Sequence, residues 1–271
     1  MKDRLVAGID LGAGSTKVVL LAADRSVLGQ ARSKTRADFV GLTDGLLDEV
    51  LKPLGLTRRD ISYIATTGLG RYAVPARNIQ ITEITCGARG AWFLFPDTTC
   101  ILDIGSQSSR AIRVGEKGRV KEFKTNEKCA SGSGGFLEKA AKYLEITVDE
   151  MGTLSLTSSD PREISSVCAV LAESEIISNV SDGYKIEDIV RGIHDSLADR
   201  ALTLIRRVGI GTSLTFIGGV ARQEGMISTV QAKLGIQVNV PEEPEYVCAL
   251  GAALFALERL KAAEAVSAKT A

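Results

Sequence analysis

Two stretches place an aspartate two residues before a glycine at the end of an apolar run: Asp10-Leu-Gly12 in AGIDLGAGSTK and Asp103-Ile-Gly105 in ILDIGSQSSR. Such a turn offers a carboxylate to a hydrated Mg²⁺ and backbone N–H groups to phosphate oxygens. Gly12 and Gly14 in the first stretch, and Gly105 in the second, let a phosphate come close to the backbone, with Ser15, Thr16 and Ser106 beside them as further candidate binding residues. Lys17 adds a point charge within reach of a phosphate, and Gln107 is suited to orient an attacking water. One Asp-x-Gly alone says little, since both residues favour turns. Here residues 9–20 laid over residues 102–113 match Asp10 with Asp103, Gly12 with Gly105 and Ser15 with Ser108, while Thr16/Ser109 and Lys17/Arg110 are similar pairs. A later apolar run ends in Gly218-Gly219, within TFIGGVARQEGM, and gives a third small-residue turn. The chemistry predicted from these residues is the binding of phosphate oxygens with a hydrated Mg²⁺. SGSGGFLEK lacks the Gly-Lys-Ser/Thr of a P-loop, so that route to phosphate binding is set aside.

Five cysteines form the second set: Cys86, Cys100, Cys129, Cys168 and Cys248. Cys129 in NEKCASGSGGFLEKAAKYL and Cys168 in SVCAVLAESEIIS each precede small residues and a helix-forming run. A thiol at a helix N-terminus has its thiolate favoured by the dipole and by unpaired N–H groups, which suits iron and sulfide. The alternative is a pair of small buried hydrophobes, the usual state of a free cysteine. A cubane cluster takes four thiolates. With two cysteines in matching contexts, two chains would have to share it. Cys86, Cys100 and Cys248 lie in apolar surroundings and read as core. Glu173 and Glu175 fit either the nucleotide's neighbourhood or a solvated helix face. His194, the only histidine, stands in a long helix and suits a structural hydrogen bond better than zinc.

The elements that must carry these residues follow from hydrophobic spacing. Strands are predicted at Leu5 to Asp10, Val18 to Leu21, Ile61 to Thr66, from Cys100, at Arg119 to Lys124 and at Ser213 to Ile217. Helices are predicted around Leu42 to Leu51, at Glu83 to Leu94, Phe136 to Leu144, from near Cys168, at Ile186 to Val208 and at Tyr246 to Leu260. Trp92, Phe93 and Phe95 are expected in the first core. Strands first and helices after, twice over, predict an α/β two-domain protein with mixed sheets. The 93-residue spacing of the repeat implies one domain fold used twice rather than a solenoid. The domains are placed at 1–97, completed by the helix 246–261, and at 98–245, with 262–271 as a frayed tail.

The chain has 271 residues, 33 basic and 33 acidic. Zero formal net charge argues against nucleic acid or an anionic membrane as partner. The apolar run after Arg4 is too short for a signal peptide, and nothing approaches a membrane span, so a cytoplasmic protein without a disulfide framework is expected.

The paired Asp-x-Gly turns and the late Gly-Gly resemble the ATPase superfamily of sugar kinases, Hsp70 chaperones and actin. That resemblance implies duplicated ribonuclease-H-like domains with a nucleotide cleft between them. Asp10–Lys17 would be the first phosphate loop, Asp103–Gln107 the second and Gly218-Gly219 the adenosine loop. NEKCASGSGGFLE and SSVCAVLAESEIIS, with DIGSQ and ATTGLGR, resemble more narrowly the BadF/BadG/BcrA/BcrD-type iron-sulfur ATPases. These activate 2-hydroxyacyl-CoA dehydratases or serve as ATP-hydrolysing subunits of benzoyl-CoA reductases. The resemblance implies ATP and Mg²⁺, with Asp10 and Asp103 holding the metal through water. It also implies a 4Fe-4S cluster on Cys129 and Cys168, shared with a second homologous subunit, with the following helices aiming their N-termini at it. Ferredoxin is the implied electron donor, and the acceptor is a CoA-ester-binding iron-sulfur protein. Ser108 stands where dehydratase activators commonly carry an acid. Ala-Ser-Gly-Ser-Gly after Cys129 and Arg110-Ala-Ile-Arg113 are closer to the benzoyl-CoA reductase branch, where two unequal ATPase subunits pair, and that branch is the one expected. The alternatives are a homodimeric dehydratase activator and, in another class, a small-molecule kinase on the same scaffold. The kinase would need a substrate pocket for which no insertion between the early strands is visible.

Overall fold

The computed structural model describes residues 4–126 and 132–270. The chain divides into two units: Met1–Pro96 with Glu116–Arg119 and Tyr246–Ala271, and Asp97–Gly115 with Val120–Glu245.

The first unit opens with β1 (Leu5–Leu11), β2 (Ser15–Leu21) and β3 (Val27–Lys34), followed by α1 (Phe39–Leu51), β4 (Ile61–Thr67), β5 (Ile79–Gln80) and α2 (Glu83–Leu94). The sheet order is β3-β2-β1-β4-β5. β1 and β2 and then β2 and β3 pair antiparallel, whereas β4 runs parallel to β1 and β5 parallel to β4. Every residue of β1 is buried, because both faces of this central strand are covered. Alternation decides which way each one faces. Leu5, Ala7, Ile9 and Leu11 join Val18 and Leu20 in the cluster under α1. Val6, with Val19 and Leu21, joins the cluster on the other side.

The second unit repeats the plan with β6 (Cys100–Ile104), β7 (Ser109–Val114) and β8 (Val120–Asn126). It continues through α3 (Gly134–Tyr143), α4 (Val148–Leu156), α5 (Ala169–Ser181), α6 (Ile186–Val208), β9 (Leu214–Ile217), α7 (Glu224–Leu234) and β10 (Val238–Asn239). Its sheet order is β10-β9-β6-β7-β8, the first order again with β6 in the place of β1. The antiparallel and parallel pairings fall in the same positions. This twice-used arrangement is the duplicated ribonuclease-H-like α/β fold expected. α6 is the spine of the second core: Ile189, Ile193, Leu197, Ala201 and Ile205 fall on one buried stripe. His194 is fully buried on it and shares a 2.8 Å hydrogen bond between Nε2 and the Gln223 side chain, whose amide donates in turn to the carbonyl of Val148. Burial pushes the His194 imidazole down to about 4.

The last helix, α8 (Val247–Thr270), returns to the first unit. It covers the second face of the first sheet with Ala249, Ala252, Ala253, Ala256 and Leu257. It crosses α2 so closely that a Cβ on Gly251 would overlap the backbone carbonyl of Cys86. α8 runs to Thr270 and does not end near residue 260, because AAEAVSAKT is rich in strong helix formers. Trp92, Phe93 and Phe95 are half-buried at the rim of the first core rather than inside it. Among the described residues no helix is long and apolar enough to cross a membrane.

Candidate functional site

Asp10 and Asp103 sit at the carboxyl ends of β1 and β6, the edge at which open α/β sheets take their ligands. Both are buried, with 6% and 4% exposure. Each is met by a cation from the antiparallel neighbour in the same register position. Lys17 Nζ lies 3.1 Å from Asp10 Oδ2, and Arg110 Nη1 lies 3.1 Å from Asp103 Oδ2. The cation answers the cost of burying the carboxylate.

The first turn, Gly12-Ala13-Gly14, is pinned from β3's end. Thr35 Oγ1 donates to the Gly12 carbonyl at 2.7 Å and contacts Thr16 Oγ1, while the Thr35 N–H donates to the Gly14 carbonyl. In the second turn the Gly105 N–H closes the loop onto the Ser108 carbonyl at 2.9 Å, and Gln107 stands exposed. The carbonyls of Gly105 and Ser106 accept the N–H groups of Gly134 and Gly135 at 2.8 and 2.7 Å. The first two amides of α3 are therefore held by carbonyls of the second turn.

The duplication extends to glycines not predicted as a pair. Gly68 follows β4 and Gly218 follows β9, the parallel neighbours of the two aspartate strands. Both have left-handed φ, +91° and +90°. A Cβ on Gly68 would stand 2.7 Å from Asp10 Oδ1, and one on Gly218 would stand 2.6 Å from Asp103 Oδ1. Each glycine keeps the space over its aspartate open. A Cβ on Gly219 would meet nothing within 4 Å, and this residue opens the 3₁₀ turn Gly219–Arg222. A buried carboxylate under a glycine turn, present once in each unit and with Lys17 adjacent in the first, is a kind of donor that fits a hydrated Mg²⁺ and phosphate oxygens.

Cys168 is the N-cap residue of α5 and is half-buried. Its side chain makes no capping hydrogen bond, and the helix's first turn has no acid. Val167 before it is 84% exposed, and Val170 and Leu171 after it are exposed too. A soft donor held at a helix N-terminus fits an anionic iron-sulfur group. Cys129 lies outside the described residues. Among the described residues no group of three or more His, Cys, Asp and Glu could hold a metal. Cys168 thus fits only a cluster completed by other thiolates. Cys86 and Cys100 are fully buried, and desolvation pushes their thiols up to about 12 and about 11, as core cysteines require. Cys248 Sγ approaches the Glu83 carbonyl at 3.8 Å. Neither glutamate of the AESE segment is a plain solvated residue. Glu173 binds Lys139 Nζ and the Tyr143 hydroxyl, and Glu175 accepts the Ser165 N–H.

The profile of the BadF/BadG/BcrA/BcrD ATPase family matches residues 7–256. The chain belongs to that family. The activator of lactoyl-CoA dehydratase from Anaerotignum propionicum is 41% identical across 93% of this chain and 96% of its own length. A benzoyl-CoA reductase subunit from Thauera aromatica is 38% identical across 93% of this chain and 92% of its own. The solved structure of the activator of 2-hydroxyisocaproyl-CoA dehydratase from Clostridium difficile, with bound ADPNP, superimposes with a TM-score of 0.92 at 36% identity, covering 96% of this chain and 97% of that one. In this BadF/BadG/BcrA/BcrD ATPase, the two aspartate turns are where buried carboxylates stand against glycines.

Proposed function

We propose that this chain hydrolyses ATP to drive low-potential electrons into a partner enzyme that dehydrates or reduces CoA esters. The reading rests most on one observation: a half-buried cysteine caps a helix with its thiol unused for capping, in the same unit as a phosphate-type turn. In this scheme Asp10 and Asp103 hold Mg²⁺ through water, Lys17 contacts a phosphate and Gln107 orients the attacking water. Gly12, Gly14, Ser15, Thr16, Gly105 and Ser106 let the phosphates approach, and Gly218-Gly219 takes the adenosine. Phosphoryl transfer asks a protein for little beyond positioning and charge stabilisation, which these residues suit. Cys129 and Cys168 ligate a 4Fe-4S cluster together with a second chain. When bound, Mg²⁺ neutralises phosphate charge and the cluster carries an electron from a ferredoxin. The acyl-CoA stays on the partner.

Of the two branches, the relatives weigh toward activation of a 2-hydroxyacyl-CoA dehydratase, since two of the three compared are activators of such enzymes; the homodimer is part of this proposal. The benzoyl-CoA reductase branch is the second reading, supported by Ala130-Ser-Gly-Ser-Gly134 and by the Thauera aromatica relative. Anoxic purification tests the common core. Iron and sulfide should be present, bleach on chelation, and disappear in Cys168→Ala and Cys129→Ala. A full iron complement in either variant overturns the ligand assignment. Pairing with itself or with a second, similar chain separates the two branches. A colourless protein that phosphorylates sugars replaces both with the kinase.

A further inference from the structure

The backbone leading into Cys168 is clamped from three sides. Arg200, in the middle of α6, donates from Nε to the Ser166 carbonyl at 2.6 Å and from Nη2 to the Ser165 carbonyl at 3.2 Å. Ser196, one turn earlier on the same helix, donates to that Ser165 carbonyl at 2.8 Å. Glu175, two turns into α5, accepts the Ser165 N–H at 2.5 Å. The two residues before the one preceding Cys168 are therefore fixed by charged groups from both flanking helices, and charge-assisted hydrogen bonds are the stronger kind.

The same arginine also touches the start of α3. Its guanidinium carbon lies 5.9 Å from the ring centroid of the buried Phe136, in the first turn of that helix. Its Cδ is 3.9 Å from where a Cβ on Gly132 would stand, and such a Cβ would also collide with the Asn126 side-chain amide. Ser109, in β7, hydrogen-bonds the Gly132 carbonyl. Two residues further on, Gly134 and Gly135 give their N–H groups to the carbonyls of Gly105 and Ser106 in the second turn. An unbroken series of polar and packing contacts inside one unit thus joins Gly105–Ser106 to the head of α3, to Arg200 and to the approach to Cys168.

We propose that Arg200 is a positioning residue that makes Cys168 feel the nucleotide state of the Gly105–Ser106 turn. A turn that tightens on a phosphate draws Gly134 and Gly135 with it. The head of α3 then shifts against Arg200, and Arg200 carries the carbonyls of Ser165 and Ser166. A rigid fork binding two successive carbonyls transmits such a shift where a lone lysine contact would swivel. The inference rests on reading Gly105–Ser106 as a phosphate loop, and it does not need the cluster to be present.

Spatial continuity is not coupling, so the test must read coupling. The full chain, reduced and stripped of iron, is alkylated with iodoacetamide, and Cys168 is followed by peptide mass spectrometry with no nucleotide, with ADP and with a non-hydrolysable ATP analogue. In the wild type, the Cys168 rate should differ about threefold or more between the empty and ATP-analogue states. In Arg200→Gln that difference should vanish, while the nucleotide still raises the melting temperature. Arg200→Lys, which keeps the charge but not the fork, should restore only part of it. A nucleotide-dependent Cys168 rate that survives intact in Arg200→Gln overturns the proposal, as does a wild-type rate indifferent to a nucleotide that demonstrably binds. Should Arg200→Gln fail to fold by circular dichroism, Arg200→Lys, which keeps the charge but cannot fork across two carbonyls, is read in its place, and an undiminished response there overturns the proposal equally. If the wild type shows no nucleotide-induced rise in melting temperature, the ATPase reading itself fails and the proposal falls with it.

Discussion

Asp10 with Lys17 and Asp103 with Arg110 are one solution used twice: a buried carboxylate and a cation directly across an antiparallel pair. Aligning the two Asp-x-Gly stretches makes both aspartates visible from sequence alone, and Lys17 and Arg110 with them. Gly218 is legible as part of the late Gly-Gly turn, but that it stands over Asp103, and Gly68 over Asp10, is not, because each glycine lies more than 50 positions from its aspartate. Thr35 and Arg200 are hidden for the same reason: their partners lie 23 and 34 residues off in sequence. Gln107 is exposed, and under the proposed reading it orients the attacking water with Ser108, not an acid, as its neighbour. Gln107→Ala should accordingly lower kcat for ATP roughly 10²-fold with little change in KM, as measured by phosphate release. His194 makes a second claim at this scale. Its imidazole titrates near 6.5 when unfolded and about 4 when folded, so the unfolded chain takes up the proton first as pH falls. Its contribution is complete above about pH 6.5 and is lost progressively toward pH 4, amounting to roughly 3 kcal/mol at the limit. Urea unfolding at several pH values checks this, and His194→Leu should flatten the slope across that window.

At the scale of elements, the strands and helices with a full apolar stripe are legible. Glu83–Leu94 and Ile186–Val208 coincide with their predicted bounds, and the strands at Leu5 and Cys100 with their starts. β3 escapes the hydrophobic pattern because it is a sheet edge and only Ala31 is buried, so it carries little apolar alternation. β5 and β10 are two residues each, too short to leave a pattern. α4 has no strong apolar stripe, and its sequence signal is the capping box in which Thr147 and Glu150 satisfy each other's backbone N–H. The α2–α8 crossing shows how an element can depend on one missing side chain. Gly251→Val would push a branched group into the Cys86 carbonyl. It should destabilise the protein by about 3 kcal/mol and lower the melting temperature by roughly ten degrees, whereas Gly45→Ala on the open side of α1 should be neutral or slightly stabilising.

At the scale of the whole molecule, the duplication is complete in sheet order and strand direction, yet the units differ in continuity. The second lies almost entirely between Asp97 and Glu245, while the first takes its closing helix from the other end of the chain. Removing residues 247–271 would strip the cover from Val6, Val19, Leu21 and Ala65. The truncated protein should be insoluble or bind a hydrophobic dye such as ANS, and supplying the α8 segment as a separate peptide should reduce that binding. This arrangement also sets an order of events at the ribosome. The amino-terminal sheet emerges early but waits for about 150 further residues before its final helix is made, roughly ten to thirty seconds at ordinary elongation rates. During that interval an apolar sheet face is open to chaperones and to other nascent chains, and the later-synthesised half can finish folding before the earlier one.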